Sequence, residues 1–236
     1  MKLKAILFDL DGTLLPMDQD QFVTAYFTKL AQKLSAYGYQ PKELIHTVWA
    51  GTHAMIQNDG SKTNEQAFWA EYTKVYGNNV DRDIAIFTEF YGNEFCQAKA
   101  VCGYNPEAPK TIHTLREMGY RVALATNPVF PSIATETRMG WAGLSPKDFE
   151  LFTTYENSHY CKPNPAYFAE ILGKMGLSPE ECLMVGNDVD DDGGAQALGM
   201  RLFLLTDCLI NLKNADISAI PHGSFADFMQ YIQEQS

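Results

Sequence analysis

The feature that most constrains this chain is its beginning. Leu3 to Phe8 is a short apolar run, broken only by Lys4, that stops abruptly at Asp9-Leu10-Asp11-Gly12-Thr13. A short apolar run bounded by turn residues reads as a buried strand of a parallel sheet, stopping at a loop. Asp, Gly and Thr also favour tight turns and helix caps, so the five residues could be no more than that. An aspartate pair closing a buried N-terminal strand is nevertheless a specific arrangement, and it favours a chemical role.

Residues 18–95 follow a different rule. Phe22, Tyr26, Phe27, Leu30 and Leu34 recur at helical spacing, as do Phe68, Tyr72, Val75 and Tyr76, with Gly38, Gly60, Gly77 and Gly92 as punctuation. The stretch is expected to form a small helical bundle without strands. From about residue 107 helices and strands alternate. Pro109 is expected to open a helix that stops at Gly119, proline near the start and glycine just past the end. A strand over 121–125, a helix ending near Gly140 and a strand over 151–153 follow. Asn164-Pro165 caps a helix to Gly176, and Leu183 to Val185 is a further buried strand. A helix through Ala195 and Leu198 ends at Gly199, residues 202–205 form a strand, and 225–232 a terminal helix. This alternation implies an α/β fold, a Rossmann-like parallel sheet with helices on both faces. The first strand belongs to that sheet, so the helical stretch is an insertion into the α/β core. The expected division is a core domain of residues 1–16 and 97–236 and a helical cap domain of residues 17–96.

Ligands of such sheets bind beyond the carboxyl ends of the strands. There the apolar runs give way to polar groups: Asp9 and Asp11, then Thr126-Asn127, then Lys162-Pro163, then Gly186-Asn187-Asp188 with Asp190, Asp191 and Asp192. So many carboxylates would repel unless a cation held them, and all-oxygen ligation favours magnesium over zinc. Lysine and threonine could then bind phosphate oxygens. Individually the later motifs are weak. A threonine after a strand is commonly a turn residue, most lysines are solvated, and acidic residues suit a helix start. Their order along the chain makes them informative together.

That order resembles the haloacid dehalogenase-like hydrolase superfamily. Its DxDGT motif is matched by Asp9, Asp11, Gly12 and Thr13, its Ser/Thr motif by Thr126, its lysine by Lys162, and its acidic loop by 186–192. The resemblance covers nearly the whole chain if residues 18–95 are the helical cap that one branch inserts after the first motif. It implies a phosphatase acting on a small phosphorylated metabolite. Asp9 would be the nucleophile and form an aspartyl-phosphate, and Asp11 the general acid, then base. A metal contact would keep Asp9 ionised while the like charge beside it favours a protonated Asp11. Mg2+ would be held by the Asp9 side chain, the Asp11 backbone carbonyl and Asp188. Asp192 would be a further carboxylate at the metal, orienting Lys162 or a metal-bound water. Thr126, the Asn127 backbone N–H and Lys162 would bind the phosphoryl oxygens.

One departure stands out: many relatives read Gly-Asp where this chain reads Gly186-Asn187-Asp188. Asp188 is therefore the preferred ligand with Asn187 alongside, and Asp190 and Asp191 are expected to be solvated. Met17 and Asp18 fall at the hinge. His46, Trp49, His53, Lys62 and Trp69 are the cap candidates for substrate contact. A phosphomutase with the same nucleophile is the main rival. A dehalogenase does not need Asp11, and a non-catalytic phosphoacceptor would not retain a base beside its aspartyl-phosphate.

Composition bounds the rest. Hydrophobic residues at 46% and charged ones at 20% give an ordinary globular balance. A formal net charge of −11 removes any general attraction for nucleic acid or anionic membrane. The five cysteines form no CxxC, and no segment approaches membrane-span length, which points to a reduced, cytoplasmic enzyme.

Overall fold

The computed structural model describes residues 2–77 and 79–235. The apolar N-terminal run forms β1 (Ala5–Phe8), every residue of it buried. Its side chains alternate between two cores: Ile6 and Phe8 join one cluster, Ala5 and Leu7 the other. This double burial is why the run shows no polar alternation.

Four helices follow: α1 (Gln19–Ser35), α2 (Pro41–Ile56), α3 (Asn64–Tyr76) and α4 (Val80–Gly92), then a 3₁₀ turn over Glu94–Val101. Asp18 starts α1 by accepting the Gln21 N–H at 2.9 Å, and Thr63 with Gln66 forms a capping box on α3. Helices α2 and α3 pack closely because Gly51 has no side chain; a Cβ there would sit 2.5 Å from the Phe68 ring. The chain enters and leaves this helical stretch side by side. Met17 pairs with Cys102 in an antiparallel bridge, and the Gly103 N–H donates to the Pro16 carbonyl at 2.7 Å.

The alternating half then unfolds largely as its spacing implies. Its elements are α5 (Glu107–Glu117), β2 (Arg121–Leu124), α6 (Ser132–Trp141), β3 (Leu151–Phe152), α7 (Pro165–Met175), β4 (Cys182–Gly186), β5 (Arg201–Leu205), β6 (His222–Gly223) and α8 (Phe225–Glu234). Asn164 caps α7 through the Ala166 N–H, and Gly176 ends it in the left-handed conformation. Two details differ from the sequence expectation. The segment through Ala195 is a 3₁₀ helix, Asp192–Leu198, since Gly193 and Gly194 support an α-helix poorly. Strand β6 is only two residues long and carries no apolar pattern to announce it.

The six parallel strands lie in the order β3-β2-β1-β4-β5-β6. Phe8 sits in register between Leu124 and Val185. The ladder runs one residue further: the Asp9 N–H donates to the Val185 carbonyl at 2.9 Å, and the Ala125 N–H to Phe8 at 2.7 Å. From β1 the chain builds outward through β2 to β3, then returns to the opposite side of β1 as β4. This reversal opens a crevice at the carboxyl end of β1. Among the described residues no helix is long and apolar enough to cross a membrane.

Candidate active site

Asp9 emerges from the end of β1 into that crevice and is only 8% exposed. Each of its oxygens is held. Lys162 Nζ donates to Oδ1 at 2.8 Å, and Thr13 Oγ1 lies 3.2 Å from Oδ2. Thr13 is turned back on Asp9 by the tight loop after β1, in which the Thr13 and Leu15 N–H groups both donate to the Leu10 carbonyl. Gly12 permits the turn in two ways. Its φ is +83°, and a Cβ would collide with the Asn187 side chain at 2.2 Å.

Lys162 is buried and bridges two carboxylates, reaching Asp192 Oδ1 at 2.6 Å besides Asp9. Burial works against its ammonium charge, yet Asp192 and Asp9 hold its pKa above the usual lysine range. Asp192 is anchored in turn: its Oδ2 accepts the N–H groups of Asn187 and Asp188, each at 3.0 Å. Both Asp192 oxygens are thus engaged inside the protein, the posture of a carboxylate that positions the lysine. Gly186 makes room for it, since a Cβ there would lie 1.9 Å from Asp192 Oδ2.

Burial pushes the Asp9 carboxyl up from 3.8 to about 7. Lys162 pulls against that rise, while Asp192 and Asp11 add to it. Asp11 has a partner that the sequence motifs did not identify. Arg138, on α6 and fully buried, donates to Asp11 Oδ2. Its guanidinium lies 4.4 Å over the Phe130 ring. Asp11 Oδ1 is buried without a hydrogen-bond partner. The signal for Arg138 was faint but present: with Ala134 and Trp141 it occupies one apolar face of α6, where a lone arginine needs an anion.

The loop after β4 sorts its aspartates clearly. Asn187 serves the loop after β1, accepting from Thr13 Oγ1 at 3.0 Å and donating to the Cys208 carbonyl at 2.7 Å. Asp188 accepts the Asp190 and Asp191 N–H groups through Oδ1 and lines the cavity. Asp190 is exposed and paired with Lys213 at 2.8 Å. Asp191, expected to be solvated, instead lines the cavity and accepts from Asn127 Nδ2 at 3.3 Å. Burial raises its carboxyl to about 6, with Lys162 opposing and Asp188 and Asp192 assisting. Asn127 also accepts the Lys162 N–H at 3.3 Å, and the neighbouring Thr126 carbonyl is fixed by Thr153 and Tyr167. The carboxyl ends of β1, β2 and β4 and the loop before α7 are tied together by these contacts.

A hard divalent cation fits this donor set. Asp9, Asp11, Asp188 and Asp191 line the cavity, where Lys162 answers Asp9 and Asp192 and Arg138 answers Asp11 from behind, so carboxylate charge outweighs the buried cations. Among the described residues no three His, Cys, Asp or Glu side chains form a ready-made cage. That is compatible with magnesium, which retains several waters and takes one or two carboxylates from its protein.

All seven site residues named from sequence, Asp9, Asp11, Thr126, Asn127, Lys162, Asp188 and Asp192, line one cavity of about 850 Å³. The helices α1 to α4 form much of its other wall. Of the five helical-stretch candidates, Trp49 and Trp69 line it, whereas His46, His53 and Lys62 are exposed elsewhere.

A family model described as haloacid dehalogenase-like hydrolase matches residues 3–199. The phosphoglycolate phosphatase of Aquifex aeolicus is 25% identical over 196 residues, covering 83% of this chain and 81% of its own. A glyceraldehyde 3-phosphate phosphatase of Methanothermobacter thermautotrophicus is 28% identical over 219 residues, covering 86% and 85%. The crystal structure of a 2-haloacid dehalogenase from Pseudomonas syringae shares the fold, with a TM-score of 0.65, 19% identity and 99% and 100% coverage.

Proposed function

The chain belongs to the haloacid dehalogenase-like hydrolases, and on that footing we propose that it is a magnesium-dependent phosphatase working through an aspartyl-phosphate on Asp9. The observation that carries the reading is the buried Asp9 carboxylate at the end of β1, clamped by Lys162 and Thr13 and opening onto a large cavity. The two curated relatives, both named as phosphatases, support phosphoryl transfer over dehalogenation.

In the first half-reaction an Asp9 oxygen forms a bond to phosphorus as the ester oxygen departs, taking a proton from Asp11. In the second, Asp11 accepts a proton from water, whose oxygen attacks phosphorus and releases Asp9 and inorganic phosphate. Arg138 fixes one Asp11 oxygen, which leaves the unpartnered Oδ1 to carry the proton. An ammonium has three donors, and Lys162 uses two on Asp9 and Asp192. The third serves a phosphoryl oxygen together with Thr126 and the Asn127 N–H. The Asp9 side chain, the Asp11 backbone carbonyl and Asp188 would hold magnesium, with Asp192 behind them. When bound, the ion supplies positive charge against the phosphoryl oxygens. Residues 17–96 act as a cap on the core formed by 1–16 and 97–236, shutting out bulk water and selecting the substrate.

The test is release of inorganic phosphate from a panel of phosphomonoesters with magnesium, repeated in water labelled with heavy oxygen. Phosphate should form in step with ester consumed, and a single turnover of preformed aspartyl-phosphate should place the label in it. Conversion of a sugar phosphate to a positional isomer without phosphate release would establish a mutase instead.

A further inference from the structure

The cavity has two chemically different ends. Its catalytic end is polar and crowded with carboxylates. The wall contributed by α1 to α4 is apolar: Phe22 and Phe27 from α1, Trp49 from α2, Phe68 and Trp69 from α3, Phe87 from α4. The core closes the space from below with Val129, Phe130 and Ile133. Three tyrosines reach the same lining, but Tyr26 and Tyr91 satisfy each other, hydroxyl to hydroxyl at 2.9 Å, and Tyr155 stands beside the Trp69 indole. The other polar groups of that wall are Gln19 at the exposed start of α1, the Thr88 hydroxyl, the Trp69 Nε1 and the Thr52 hydroxyl, which donates to the Val48 carbonyl at 2.9 Å. They are scattered among aromatic rings, and each hydroxyl of a polyol costs energy if buried without a partner.

Charge narrows the choice further. Among the described residues lining the cavity, Lys162 is the one basic side chain, and Asp9 and Asp192 already hold it. The remaining charged lining is acidic, with Asp18 and Asp20 at the exposed start of α1 and Asp188 and Asp191 on the core side. A second anion on the substrate, such as the carboxylate of phosphoglycolate, would be buried against carboxylates with no counter-charge. The volume, about 850 Å³, exceeds what a two-carbon alcohol fills and falls in the range of pockets for much larger ligands.

Resting on the phosphatase reading, we infer that the physiological leaving group is a neutral, apolar alcohol, so that the substrate is an aryl or medium-chain alkyl phosphate. The phosphoryl group seats at Asp9 and the hydrocarbon runs under the aromatic wall. Asp18 and Asp20 line the cavity at the exposed start of α1, one turn from Phe22; water screens charges placed there, and an amine-bearing ligand enters the test as the competitor.

Binding and turnover test the two readings separately. Calorimetric titration with magnesium and the non-hydrolysable ethyl-, butyl- and hexylphosphonates should show affinity rising about two- to fourfold per methylene, at least about tenfold from ethyl to hexyl. Phosphonoacetate and 2-aminoethylphosphonate should bind no better than ethylphosphonate. Trp49→Ala removes a half-exposed part of the wall, and should shrink the hexyl-to-ethyl ratio about threefold or more. Thr52→Arg, which puts a cation into the same wall, should shrink that ratio and improve phosphonoacetate binding. A flat chain-length series, or tightest binding by phosphonoacetate or 2-aminoethylphosphonate, overturns the inference. Phosphate release from the matching ethyl, butyl and hexyl phosphates, whose alcohols differ little in leaving ability, is measured alongside. A rising phosphonate series without hydrolysis of any ester would bring down the phosphatase reading while leaving the cavity's preference standing.

Discussion

At the level of single residues the site is held together by opposed charges that do not cancel. In the metal-free chain the Asp9 carboxyl is raised from 3.8 to about 7. Between those values the folded state keeps a proton there that the unfolded chain has lost. The associated stability is therefore fully present below about pH 4 and is lost as pH rises through about 7. Asp9→Asn has no such proton to lose. Melting curves in EDTA should accordingly show the variant gaining on the wild type as pH rises from 4 to 8. Magnesium added at pH 8 should raise the wild-type Tm and leave the variant nearly unmoved, and phosphatase turnover of the variant should fall about a thousandfold or more. Asp188 and Asp192 differ in what surrounds them, so their removal should differ in kind. Asp192→Ala strips a buried lysine and two amides of their acceptor and should cost about 3 kcal/mol in urea unfolding. Asp188→Ala breaks only a loop turn, should cost about 1 kcal/mol, and should shift the magnesium titration of activity more than its stability.

Whole elements carry these residues, and the elements differ in how openly the sequence declares them. Strands β1, β2 and β4 were legible because both faces are buried, which turns them into apolar runs that end sharply at Asp9, Thr126 and Gly186. Helix α7 was legible from Asn164, Pro165 and Gly176, whose backbone preferences mark both ends. The motif residues converge because those strand ends lie side by side in register. Arg138 escaped notice because its partner, Asp11, is 127 positions away and local spacing holds no trace of the pair. Asp191 escaped because a run of three aspartates looks solvated, whereas the start of the 3₁₀ helix Asp192–Leu198 brings Asp191, its N-cap, to the cavity beside Asp192. The α6 pairing leads to a direct test. Arg138→Met leaves Asp11 buried without its cation, so the variant should lose about 3 kcal/mol of stability in urea unfolding. Combining it with Asp11→Leu should recover part of that loss while activity stays abolished. The Gly186→Ala variant probes strand β4: the new methyl displaces Asp192, and both magnesium-dependent activity and Tm should fall.

Across the whole molecule one hydrophobic cluster runs from the sheet into the helical stretch. It links Phe8 and Phe228 on the sheet side with Phe22, Phe68 and Phe87 in the helices. Trp141 on α6 stacks on Phe95 with ring centroids 5.4 Å apart, joining the two regions. Trp49 and Trp69 report on the helical side and Trp141 on the sheet side. Unfolding followed by tryptophan fluorescence and by far-ultraviolet circular dichroism should therefore coincide in a single transition. Two separated transitions would show that the shared cluster does not couple the regions. The antiparallel bridge between Met17 and Cys102 bears on chain topology. Because the excursion departs and returns through neighbouring residues, the rest of the protein experiences the four helices and their connections as a loop already closed. The entropy of closure falls on the excursion itself and grows only slowly with its length. A shorter, longer or wholly different excursion could hang from the same two residues without altering the register of β1 against β2 and β4.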